Sequence, residues 1–142
     1  MKIQNEKFKR RDQVLGHYRD FMLLTIDHIQ LAMPRGEEEK ARSYFTQLLG
    51  MEEERKPETL AMRGGCWFRS GVVVIHLGVE NDFRPQKKAH PALVVLNLDL
   101  LATQLQEGGY PVQWDNALGD RRRFYSEDPF GNRIEFMERD DL

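Results

Sequence analysis

Two stretches of this chain run through the same order of patterns, and that repetition limits the folds open to it. Leu24 to Met33 alternates Ile26, His28 and Gln30 against Asp27, Ile29 and Leu31, the period of a strand, and Pro34 and Gly36 close it. Ala41, Tyr44, Phe45, Leu48 and Leu49 then recur at helical spacing behind Glu37, Glu38 and Glu39, with Gly50 placed for a left-handed cap. Three strands are expected next, over Glu52–Lys56, Gly65–Arg69 and Val72–Val79. A polar stretch from Asn81 to Lys88 reads as a linker, after which the order begins again. His90 to Asn97 is a strand, and Asn97 or Asp99 caps a helix over Leu101–Glu107 that stops at Gly108 and Gly109. Strands follow over Pro111–Asp115, Arg121–Ser126 and Arg133–Glu138. The fold class is therefore α+β: two βαβββ modules whose mixed sheets curve around a cup.

The last two strands meet at Asp128-Pro129-Phe130-Gly131-Asn132, a tight reversal in which Pro129 presets φ and Gly131 or Asn132 takes the positive-φ position. The expected division is an N-terminal extension (1–22), a first module (23–80), a linker (81–89) and a second module (90–142), the two modules making one domain. Phe8, Leu15, Tyr18 and Met22 suggest a weak helical stripe in the extension, and Met22 reads as an alternative start of translation.

Aligning the two copies brings the chemistry into view. The chain has four histidines, and three fall at repeat-related places: His28 and His90 in the first strands, and His76 in a last strand, where the second copy has Glu135. His17 lies in the extension. The spacing from His28 to His76, 48 residues, nearly equals the 45 from His90 to Glu135. Parity turns the apolar neighbours of these side chains toward the helices and the four candidates toward the cup. Three imidazoles and one carboxylate make a site for a divalent transition metal: Zn, Ni, Mn, Co or Fe(II). His28, His90 and Glu135 alone make the two-histidine, one-carboxylate set of non-haem Fe(II). Arg123 and Tyr125 share the cup face of their strand and are candidates for binding substrate, while parity sends Asp27 away from His28.

Asp27-His28-Ile29-Gln30-Leu31 and the hairpin Asp128 to Phe136, set in paired βαβββ units, resemble the vicinal-oxygen-chelate superfamily of glyoxalase, bleomycin-resistance and extradiol dioxygenase proteins. Gly64-Gly65-Cys66-Trp67-Phe68-Arg69-Ser70-Gly71 with Phe83-Arg84-Pro85 also resembles a widespread bacterial branch of it. The resemblance implies a glyoxalase-like fold, metal ligands at His28, His76, His90 and Glu135, and Glu135 or a metal-bound water moving protons. It implies a small oxygen-rich substrate chelated in a lyase, isomerase or transferase reaction. Ring cleavage by an Fe(II) dioxygenase, or metal-free drug binding as in bleomycin resistance, are the alternatives. His76 stands where glyoxalases of this type commonly carry Glu or Gln. The superfamily builds its cup within a chain or across a dimer, and a homodimer with two shared sites is expected here.

Other partners are disfavoured. A formal net charge of -2 gives no electrostatic case for nucleic acid or an anionic membrane. No apolar run approaches the roughly 20 residues a membrane helix needs. The single Cys66 has no disulfide partner, which fits a reducing, cytoplasmic setting.

Overall fold

The computed structural model describes residues 22–140, so the stripe expected in the extension and His17 lie outside the described residues. Two four-stranded mixed sheets, each with its helix, repeat one topology in a glyoxalase-like fold. The first contains β1 (Ile29–Met33), β2 (Glu52–Glu54), β3 (Cys66–Ser70) and β4 (Val73–Val79), in the spatial order β1-β4-β3-β2. The second contains β5 (Ala92–Val95), β6 (Gln113–Asp115), β7 (Arg123–Glu127) and β8 (Arg133–Glu138), in the order β5-β8-β7-β6. In each sheet the first strand runs parallel to the last and the other pairings are antiparallel. Neither sheet closes, and β1 and β5 are edge strands.

The first helix departs from simple periodicity. α1 (Glu38–Arg42) widens into a π-helical turn over Ser43–Leu48, with Leu49 N–H donating to Tyr44 O at 2.9 Å. Tyr44 and Phe45 are consecutive and both wholly buried: Tyr44 packs edge-on against Tyr110 of the second half, and Phe45 stacks on Phe68 of β3. One helical face must therefore serve two directions, and a π turn is a familiar accommodation. A short α2 (Glu58–Ala61) behind Pro57 lies between β2 and β3. α3 (Leu98–Glu107) is capped by Asn97, whose side-chain oxygen accepts from Leu100 N–H at 3.0 Å.

One apolar core spans both halves, built from Met33, Phe45, Phe68, Ile75 and Leu77 on one side and Leu105, Phe124, Ile134 and Phe136 on the other. It lies between helices and sheets, which leaves the opposite sheet faces to form the cup. Cys66 is buried in this core, and burial pushes its thiol up to about 12, so it is an inert hydrophobe at neutral pH.

The 128–132 reversal is a polar knot. Asp128 Oδ1 accepts from Phe130 N–H (2.8 Å) and Asn132 N–H (2.9 Å), and Gly131 takes the positive φ, +87°. Burial raises the Asp128 pKa, against these hydrogen bonds. Asn132 reaches outward. Its Nδ2 donates to Ala32 O of β1 and to Asp128 Oδ2, both at 2.8 Å, and its Oδ1 accepts from Gln86 N–H at 3.1 Å. One amide thus joins the hairpin, the linker and the first sheet. Asn132→Ala would strand several of these groups away from water, and a loss of about 2 kcal/mol is expected in urea denaturation. A loss below about 0.5 kcal/mol would show that the knot does not hold the halves together.

Candidate functional site

Strand register makes the repeat-related positions exact counterparts in the ladders. His76 pairs with Gln30 across β4 and β1, and Glu135 pairs with Ala92 across β8 and β5. His28 and His90 each stand two residues before those partners, just ahead of β1 and β5. On the other side of the inner position, Trp67 faces His76 and Tyr125 faces Glu135. Each half therefore presents a histidine, an inner polar residue and an aromatic in matching places.

In the second half these groups form one continuous network. His90 Nδ1 lies 2.7 Å from Lys88 O, and a carbonyl oxygen only accepts, so Nδ1 carries the hydrogen. In the neutral ring Nε2 then aims a lone pair at Glu135 Oε2, 3.1 Å away. Two acceptors at that distance require a shared proton or a cation. Ligands about 2.1 Å from one metal and at right angles to each other are about 3 Å apart, close to this separation. The pair fits two neighbouring positions on a divalent ion, with the backbone carbonyl fixing the tautomer from behind. Glu135 Oε1 accepts from Arg123 Nη1 at 2.9 Å, and Arg123 Nη2 donates to Asp115 Oδ1 at 3.1 Å. The Ala117 N–H bond, and then Arg123, hold the Asp115 carboxyl below its usual range. Tyr125 meets the His90 ring edge-on at 5.4 Å, with the Arg133 guanidinium 4.9 Å from its own ring centre. A groove of about 580 Å³ runs between β1 and His90, past Gln30, Ala32, Gly78 and Asn132.

The first half is arranged otherwise. His28 Nδ1 donates to Asp27 Oδ2 at 2.7 Å, which leaves Nε2 as the free lone pair on a side chain 37% exposed. Asp27 therefore orients His28, although strand parity was expected to send it to the other face. Strand alternation does not govern it, because β1 begins only at Ile29. His28 lowers the Asp27 pKa through that bond. The His28 and His76 rings stack at 4.0 Å, and His76 stacks on Trp67 at 3.9 Å on its other side. Burial, and then the neighbouring His28, push the His76 pKa down.

The structure thus brings the four candidates together as two pairs, His28 with His76 and His90 with Glu135. Among the described residues, no three His, Cys, Asp or Glu side chains of one chain converge on a point. Arg123 has its guanidinium on Glu135 and Asp115.

No family profile matches the chain, nor does any curated protein. Solved structures do. The fosfomycin resistance protein FosX of Listeria monocytogenes is 15% identical with a TM-score of 0.68, over 84% of this chain and 96% of its own. A glyoxalase/dioxygenase of Nostoc punctiforme is 20% identical with a TM-score of 0.68, over 87% of this chain and 100% of its own. At these identities the likeness establishes the fold alone. A protein of Bacillus anthracis described as glyoxalase family goes further, at 50% identity and a TM-score of 0.80, over 87% of this chain and 100% of its own. The chain belongs to the glyoxalase family.

Proposed function

We propose that this protein is a metal-dependent enzyme of the lyase, isomerase or transferase type, acting on a small oxygen-rich molecule in the cytoplasm. The observation that carries this reading is the His90–Glu135 pair, two acceptor atoms 3.1 Å apart in a largely buried place, with His90 Nδ1 already engaged. His28, with Nδ1 held by Asp27, offers a third donor at an exposed edge. One chain does not bring it to the other two, so the site is completed by His28 from a second copy, in a homodimer with two shared sites. The exposed apolar residues Leu23, Leu24 and Ile26 beside His28 supply a surface for that copy to cover.

A divalent first-row cation bound there supplies Lewis-acid polarisation of neighbouring substrate oxygens. Glu135 is the candidate to move a proton, at Oε2 when that oxygen is not engaged by the cation. Tyr125 lines the wall beside His90, and Arg123, held on Glu135 and Asp115, presents positive charge to an anionic substrate group. The same three donors, two imidazoles and a carboxylate, also support an Fe(II) dioxygenase acting on catechol-like rings. Oxygen uptake with catechols separates the two readings.

Elemental analysis of the purified protein with sedimentation velocity tests the proposal. A divalent metal at one ion per chain, in a dimer, is expected. Metal-free protein whose melting does not respond to Ni, Mn, Zn or Fe(II) would end the metal reading. A monomer that binds metal at full affinity would end the shared-site version alone.

A further inference from the structure

His76 holds the ladder position in the first half that Glu135 holds in the second, and position alone would make it a fourth donor. The ring geometry opposes that. A cation bound to an imidazole lies near the plane of the ring, about 2 Å from the nitrogen and roughly 3 Å from the ring centre. The His28 and His76 rings are 4.0 Å apart and inclined by only 20°. Dividing that separation by the tangent of the angle, the two planes meet roughly 11 Å away, far beyond the reach of a metal–nitrogen bond. While the rings are stacked, one cation cannot be a ligand partner of both.

His76 is the less able of the two to turn out of the stack. Its other face lies on Trp67, 3.9 Å away and within 3° of parallel, and the ring is buried to 8% exposure. Trp67 is directly opposite His76 in the antiparallel ladder, so register itself builds this contact. His28, by contrast, is held at one edge by Asp27 and on one face by His76. Those two contacts fix its ring and leave Nε2 as the outward atom. The geometry points to His76 as a positioning residue, a stacking platform backed by Trp67 that sets the ring plane of His28, and not a fourth metal donor. This rests on the reading of His28, His90 and Glu135 as the donor set.

Cobalt(II) titration of the full chain, followed by its visible absorption bands, tests the inference with His76→Phe, His76→Ala and His28→Ala. Phenylalanine keeps a flat ring and lacks nitrogen, so His76→Phe should hold affinity within about threefold and leave the band positions unchanged. His76→Ala frees His28 and should weaken binding by about tenfold, in the range seen when an orienting partner is lost. His28→Ala should weaken it by on the order of 100-fold or more. If His76→Phe weakens binding as much as His28→Ala, or shifts the bands, His76 is a donor and the inference is overturned. A measurement on unmodified protein covers the case where His76→Phe does not fold. On adding zinc, the ring nitrogen NMR signals of His28 and His90 should move to coordinated positions and those of His76 should not. Coordination shifts at His76 overturn this inference alone, whereas a wild-type protein that binds neither cobalt nor zinc removes the metal reading and this inference with it.

Discussion

Alanine at Glu135 is expected to lower affinity for a divalent cation by on the order of 100-fold or more, with only a modest loss of stability. Glu135 is the one carboxylate of the proposed donor set, and its two oxygens have separate partners, Oε1 with Arg123 and Oε2 with His90. Breaking a fully buried ion pair costs about 3–5 kcal/mol because the surviving charge is left alone. Here the survivor is not alone: Arg123 retains Asp115 through Nη2 at 3.1 Å and Nε at 3.3 Å. Its side chain also keeps 16% of its surface in solvent. A cost nearer 1–2 kcal/mol follows. Glu135→Gln preserves an oxygen for Arg123 while removing the charge, so it should lose metal affinity to a similar degree at a smaller cost in stability. Calorimetric titration with Mn or Ni beside thermal melts measures both quantities. Unchanged metal affinity in either variant would remove Glu135 from the site.

Gly65→Ala is expected to destabilise the protein by roughly 2–5 kcal/mol, summing a backbone and a packing penalty. Gly65 has φ +80°, a conformation that costs an L-residue about 1–2 kcal/mol. A Cβ there would also lie 2.0 Å from Leu77 O, a backbone atom of β4 that can move only with its strand. The neighbouring residue in that strand is His76, so the disturbance would reach the stacked rings. Gly71 supplies the control: φ is +58°, yet an added Cβ meets nothing within 4 Å, so Gly71→Ala should show the backbone penalty alone. Urea denaturation of both variants decides the matter. Equal losses would mean that the crowding at Leu77 O is relieved without cost.

The repeated βαβββ order, the reversal at Asp128–Asn132 and the matching of His28 with His90 and of His76 with Glu135 were all legible in the sequence, because each is written in local periodicity or turn chemistry. Three features were not. The π turn at Tyr44 and Phe45 arises because two consecutive aromatics pack in different directions, information that enters only with the tertiary fold. The role of Asp27 was hidden because alternation was extended one turn of the ladder too early; outside β1 the side chain is free to reach its neighbour. The separation of the four candidates into two pairs was also invisible. Ladder register fixes which residues share a face of a sheet and leaves open whether two sheets bring those faces to a common point.

The Asn132 side chain has one further consequence. Because a single amide rivets the hairpin to Ala32 O and to Gln86 N–H, the two halves of a chain cannot swing apart like jaws without breaking it. For the function proposed above, entry and exit of a small molecule would then depend on short segments at the rim, or on movement between the copies of the proposed dimer, more than on a change in the angle between the halves.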